Sequence, residues 1–595
     1  MPVGSGRISP KLGMIDRQSN QTVKGNETMS SVAVENRESA RPRQNWVLSP
    51  TGDLLLIILA PILSLIWAVI TFEWLGAAAV WAIFGVFNVA HHLPTFIRIY
   101  GDNDLMRRFR WRLILAPLIP FTLALGTFGY LLFRMEFELT RNLAILFIIL
   151  TVWDPWHFLM QHYGFMRIYD RHNRAPIKLS SWMDYVVFAT WFVYIMVAVL
   201  DWFPSLLYDL KVIHGLPVLF LFDAGTYPMI QNTLLALAVA ASVVYVGYLV
   251  WCYSRGYFVS HAKLLLLLVT VGVMYLTYVP NPAIDYFVPG WTFRLGFATL
   301  GMVHVTQYLA IVWKYNRSLS QRDNHARSGA FETLFARGGL LIGSVYVLIC
   351  LAYGWVLIYG SAVSHQWPDV IMKMVIGTLL AVQFTSTFLH YYYDGFIWKV
   401  RHKENRENLA MTEGDSPASR ESTSWWNRTS VASVMRTFSR QFLYFAIPMF
   451  FVLGTWWVTQ QKKSEGPLKQ AGRAYQLRQD GHIEESRKLA GVAIDQLEQQ
   501  LELESEMIEI RPQAKHYVYA AELIYAISLT KNEIDLGQGQ TVDPDSAHGR
   551  AIRETIVTLE QALELPGPFK HPERSEADRE QVETMLTERR REVGS

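Results

Sequence analysis

The chain has 595 residues, 51% of them hydrophobic and 13% aromatic, with a formal net charge of only +3. So small a charge argues against a nucleic-acid partner, and two lone cysteines, Cys252 and Cys350, leave no disulfide framework, Cys-x-x-Cys motif or thiolate metal site. Apolar runs recur from Leu54 onward, each close to the ~20 residues a bilayer crossing needs, and they place the chain among polytopic all-α membrane proteins.

Residues 1–45 are polar, rich in Gly, Ser, Asn and Arg, and without apolar periodicity, so a disordered tail is expected. They lack the apolar core of a cleavable signal peptide, which leaves the first span as the insertion signal. A transmembrane bundle is expected over 46–402, with spans at Leu54–Phe72, Leu75–Phe96, Leu113–Phe133, Asn142–Phe165, Tyr185–Leu200, Thr233–Cys252, Leu264–Val279, Leu295–Trp313, Leu340–Tyr359 and Val370–Tyr393. Leu216–Phe222 is too short to cross and reads as interfacial or re-entrant. A charged, Ser/Thr-rich cytoplasmic linker over 403–440, with Trp425 and Trp426 suited to the membrane surface, precedes a last span, Phe442–Val458, within 441–461. That makes about eleven spans.

Lys and Arg gather in alternate connections: Arg98 to Arg112, Arg167 to Lys178, Lys314 to Arg337, and the 403–440 linker. The intervening loops hold acids such as Asp201, Asp209, Asp223, Asp285 and Asp369. Basic loops stay in the cytoplasm, so the N-terminus is expected inside and the segment after the last span outside.

Six of the 16 histidines fall inside apolar segments: His91, His92, His157, His162, His304 and His390. An ionisable side chain in hydrocarbon is costly and points to function. All six lie on even-numbered spans, in the half that precedes a basic connection, within roughly 15 Å of the cytoplasmic boundary at the helical rise per residue. They can therefore meet. One such histidine is ordinarily an interfacial or packing residue; six at one depth predict a metal site ahead of a polar cavity without metal. His172, His261, His325 and His402 fall in inner loops and His214 and His365 in outer ones, where solvated histidines are expected.

Polar residues three or four positions away share a helix face with these histidines: Asn88 with His91 and His92, Asp154 and Gln161 with His157, Gln307 with His304, and Asp394 with His390. Each can take the second ring nitrogen of a metal-bound imidazole and fix its tautomer, and Asp154 and Asp394 are also candidate ligands. Imidazole with oxygen donors and no thiolate suits iron, zinc, copper or manganese. Six histidines exceed the three protein ligands of a catalytic zinc.

Histidines near one leaflet on several helices resemble the polytopic histidine-rich non-haem iron enzymes: membrane desaturases, hydroxylases and carotenoid-cleaving oxygenases. Their His-x-x-x-His and His-x-x-His-His boxes are absent here; His91-His92 and His157-x-x-x-x-His162 come nearest. The resemblance implies a metal-dependent oxidoreductase using non-haem iron, up to two ions, on a membrane lipid or other lipophilic substrate. Two readings stand beside it. A non-covalent haem b could be held axially by His157 with His304 or His390, there being no Cys-x-x-Cys-His attachment motif. A proton-coupled transporter, or a scaffold, would need no metal; a transporter would show an internal repeat or paired broken helices, and neither is evident, although Pro61, Pro94 and Pro155 interrupt spans.

Aromatic and basic residues follow the histidines: Tyr163, Arg167, Tyr169, Asp170 and Arg171; Tyr308, Trp313, Lys314 and Tyr315; Tyr391 to Tyr393 and Trp398. They read as an interfacial anchor belt, or as an entrance holding an anionic headgroup or an electron donor. Residues 462–595 read as a soluble helical-hairpin domain. Ala474, Leu477, Gly481, Ser486, Ala490 and Ala493 resemble a tetratricopeptide repeat, and a degenerate second unit is expected over Pro512–Leu565, interrupted around Asn532–Ser546. Such a domain implies an extracytoplasmic protein partner.

Overall fold

Regular structure among the described residues is helical throughout. The computed structural model describes residues 44–101, 103–134, 139–199, 226–289, 291–322, 335, 340–364, 369–397, 431–461, 467–510, 512–532, 542–565 and 575–594. In chain order the membrane-type helices are α1 (Pro50–Asp53), continued by a π-turn at Leu54–Ile58, α2 (Ala60–Leu75), α3 (Ala77–Ala90), α4 (His92–Gly101), α5 (Asn103–Arg134), α6 (Leu139–Tyr169), α7 (Ile177–Val197), α8 (Thr226–Ser254), α9 (His261–Tyr278), the short α10 (Pro282–Phe287), α11 (Phe293–Arg322), α12 (Leu340–Ser364), α13 (Asp369–Ile397) and α14 (Val431–Gln461). They are followed by α15 (Pro467–Gln479), α16 (Ile483–Ile510), α17 (Ala514–Lys531), α18 (Ala547–Glu564) and α19 (Ser575–Glu592).

Among the described residues eight helices are long and apolar enough to cross a membrane, and the pair Pro50–Ile58 and Ala60–Leu75, bent by 49°, brings the number to nine. This is a multi-span helical membrane protein. The nine coincide with nine of the expected spans; a count of eleven is not shown among the described residues. The other two, Asn142–Phe165 and Phe442–Val458, lie in α6 and α14. The short piece Leu216–Phe222, Trp425 and Trp426, and His214, His325, His365 and His402 fall outside the described residues.

Prolines place the breaks. Pro61 has no N–H for the carbonyl of Ile57 four residues back, and the chain there relaxes into the π-turn, closed by Leu59 N donating to Leu54 O at 2.9 Å. The orphaned Ile57 oxygen instead accepts from Gln307 Nε2 at 2.8 Å. Pro94 likewise cannot donate to Ala90, and the helix interrupts at His91, between α3 and α4. Adjacent residues on a regular helix point about 100° apart; at this break both His91 and His92 are buried.

The centre of the bundle is α11, the most deeply buried candidate span, packed against α2, α3, α4, α6 and α9. A second group joins α13 and α14 to α5. Close helix approach relies on small residues: a Cβ at Gly354 of α12 would lie 2.2 Å from the carbonyl oxygen of Val86 on α3. Backbone cannot rotate aside, so Gly354→Ala is expected to force α12 from α3 and lower stability by about 1–3 kcal/mol, read as a fall in melting temperature of the purified chain. A wild-type melting curve would show that the two helices part freely.

In the C-terminal segment consecutive helices from α15 to α19 pack on one another. Gly481 (φ +82°) turns α15 into α16, and Ser486 Oγ donates to Ala474 O at 2.6 Å, with Ala474 and Ala493 buried between the two helices. His516 of α17 sits 2.7 Å from Glu504 Oε2 of α16. Burial lowers its pKa despite that carboxylate. A folded-state pKa below the unfolded one means that unfolding takes up a proton, so this contribution to stability is full above about pH 6.5 and is lost as pH falls below it. Lower amide protection factors, corrected for the intrinsic exchange rate, in α16 and α17 of the intact chain at pH 5.5 than at pH 7.5 are the expected result. His516→Gln should flatten the difference, and an unchanged slope in that variant would assign it to other groups.

Candidate metal centre

Three imidazoles meet from α11, α13 and the break between α3 and α4. His91 Nε2 lies 3.2 Å from His390 Nε2 and 3.2 Å from His304 Nε2, and all three rings are buried. His91, His304 and His390 form one group able to hold a metal ion; His157, His390 and Asp394 form another. In the second, Asp394 Oδ2 is 3.5 Å from His390 Nε2 and 3.8 Å from His157 Nε2. The His157 ring packs edge-on against His304 at 4.9 Å between centroids.

A chain of hydrogen bonds orients His390. Its Nδ1 is 3.1 Å from Thr95 Oγ1, Thr95 Oγ1 bonds the Tyr308 hydroxyl, and that hydroxyl donates to Asp394 Oδ1 at 3.0 Å. Because Tyr308 spends its proton on Asp394, it accepts from Thr95, and Thr95 in turn accepts from His390 Nδ1–H. The lone pair of His390 Nε2 then faces His91 and His304. Sharing one mobile hydrogen among three converging nitrogens is poor compensation for buried lone pairs; a cation between them satisfies all three.

The remaining expected site residues fall outside the two donor groups. His162 Nδ1 donates to Phe158 O at 2.9 Å and its Nε2 accepts from Gln307 Nε2 at 2.9 Å, so both nitrogens are engaged away from the cluster. His92 stacks on His390 at 4.9 Å, and its Nδ1 bonds Ser386 Oγ at 2.9 Å, which accepts from Tyr353. Gln161 donates to Gln307 Oε1 and to the backbone of His304, not to His157. Asp154 is buried with Oδ1 unpartnered and makes no bond to His157, while Asn88 forms no side-chain hydrogen bond among the described residues. Helix spacing set these groups on a shared face without fixing where their ends point. The same spacing rule, applied to Thr95 after His91 and to Tyr308 after His304, would have found the two hydroxyls that orient His390.

Two nitrogens bound to one ion at 2.0–2.1 Å in tetrahedral geometry stand roughly 3.3 Å apart, which the His91–His390 and His91–His304 separations match. One imidazole nitrogen has a single lone pair, and His390 Nε2 belongs to both groups. The two donor groups are thus linked through His390. A haem does not fit. His157 lies in ring contact with both His304 and His390, leaving no slot for a macrocycle between axial partners. Cys252 and Cys350 are free and buried, and neither joins the donor groups.

One cluster was not anticipated. Arg167 and Asp170, expected in an interfacial belt, are drawn inward: Lys263 Nζ of α9 lies 2.9 Å from Asp170 Oδ1 and 3.2 Å from Asp184 Oδ1, and Arg167 pairs with both acids. Tyr245 donates to Asp184 and Ser180 to Asp170. Arg98, also expected in a loop, is buried with its guanidinium 3.7 Å over the Tyr315 ring. Asp184 within the apolar α7 was the available sequence signal. No protein-family model, curated protein or solved structure matches the chain.

Proposed function

We propose that the chain is a metal-dependent membrane oxidoreductase acting on a lipidic substrate, with one non-haem ion held by His91, His304 and His390 and completed by His157 and Asp394. The observation that carries this is the convergence of three buried imidazoles, two from α11 and α13 and one from the break between α3 and α4. Nitrogen and carboxylate donors without thiolate favour iron, and leave zinc, copper and manganese as the competing ions. Bound there, a redox-active ion would supply oxidising chemistry. The chain's own part is positional: Thr95, Tyr308 and Asp394 hold the His390 tautomer, and the apolar packing keeps water from the centre. The alternation of basic connections supports an N-terminus in the cytoplasm and a C-terminal helical domain on the opposite side, where it would bind a protein partner.

Elemental analysis and an absorption spectrum of the detergent-purified full chain test the reading. About one iron per chain without a Soret band is expected. A chain free of transition metal would overturn it and leave a metal-free transporter or scaffold.

A further inference from the structure

Exposure differs among the donors of the centre. His390, His304 and His91 are 0%, 1% and 2% exposed, whereas the side chains of His157 and Asp394 keep 17% and 10% of their surface. The two accessible donors stand on α6 and α13, either side of the seam between these helices. These helices pack mainly on different neighbours: α6 rests on α7, α9, α11 and α14, and α13 on α5, α12, α4 and α3. Among the described residues they share little direct packing. The wall of the seam is aromatic. Trp153, 47% exposed one turn before His157, meets Tyr391 edge-on at 6.3 Å, and Tyr391 lies 5.0 Å from the His157 ring.

We infer that this seam is the entrance by which a hydrocarbon chain dissolved in the bilayer reaches the metal, with Trp153 and Tyr391 as its doorposts. The inference rests on the metal reading above and adds the route and the class of substrate. A water-borne polar substrate would need a polar mouth. Here the donors that open outward lie behind two aromatic rings, one of them on the outer surface of an apolar helix, where acyl chains make contact. Two flat rings in edge contact can part by side-chain rotation without unpacking either helix, as an apolar chain sliding between them requires.

N-decylimidazole, an apolar chain ending in a metal-binding nitrogen, is the probe. Its binding to the metal-loaded full chain in lipid nanodiscs is followed by the change in ligand-field absorption, with water-soluble imidazole as reference. In Trp153→Cys/Tyr391→Cys, bridging the two thiols with a short bis-methanethiosulfonate should slow decylimidazole binding by roughly tenfold or more, reversibly on reduction, with metal content unchanged. Trp153→Ala should act oppositely and speed it. Unchanged binding in a bridged, metal-replete protein would overturn the entrance while leaving the metal centre standing. Unchanged binding in Trp153→Ala would do the same if the double variant fails to fold. Absence of metal from the wild-type chain would overturn both.

Discussion

His304→Ala is expected to strip the chain of its metal, while His162→Ala, on the next helix, keeps it. The two histidines look alike in the sequence, each in the inner half of an apolar helix beside a glutamine. Their nitrogens differ: His304 Nε2 points at His91 Nε2 from 3.2 Å, whereas His162 is spent on Phe158 O and Gln307. Removing a group that only orients a ligand lowers metal affinity about 10–100-fold, the effect expected for Thr95→Val and Tyr308→Phe. Removing a ligand costs more, so affinity in His304→Ala should fall beyond that range. Chelator competition followed by elemental analysis gives the ranking directly. Equal loss of metal in His162→Ala and His304→Ala would mean that the donor set is drawn wrongly.

That contrast also shows how far residue order alone reaches. Hydropathy located nine of the candidate spans, because length and apolar content are properties of a single segment. It also brought His91, His157, His304 and His390 to one depth, since depth is a distance along the chain. Rotation about the helix axis is not. Whether His162 turns toward the cluster depends on Gln307, which is itself held by a carbonyl that Pro61 leaves unbonded on a third helix. Counting histidines likewise says nothing of how they are shared, and the two donor groups have His390 in common. The charged network was missed because Lys263 begins its helix and Arg167 ends one, positions where charge normally meets headgroups. Only the fold shows these side chains turned inward on each other.

Lys263→Met is expected to be among the most damaging single substitutions outside the metal centre. Lys263 is fully buried, as are Asp170 and Asp184, and it contacts both acids. With Arg167 the set holds two positive and two negative charges. Methionine fills the volume but leaves two buried carboxylates facing one guanidinium, and breaking a buried pair in this way costs about 3–5 kcal/mol. The cause is charge imbalance and not lost packing, which makes a compensating change informative: Lys263→Met/Asp184→Asn restores neutrality and should recover much of the loss, although Asp184→Asn alone destabilises. Thermal unfolding of the wild type, both single variants and the double variant closes the cycle. Additive losses would assign the role of Lys263 to packing. Because the network joins the end of α6 to α7 and α9, while His157 sits ten residues earlier on α6, the double variant is further expected to retain metal. A clamp that neutralises itself can thus be exchanged without touching the donors it helps to hold in place.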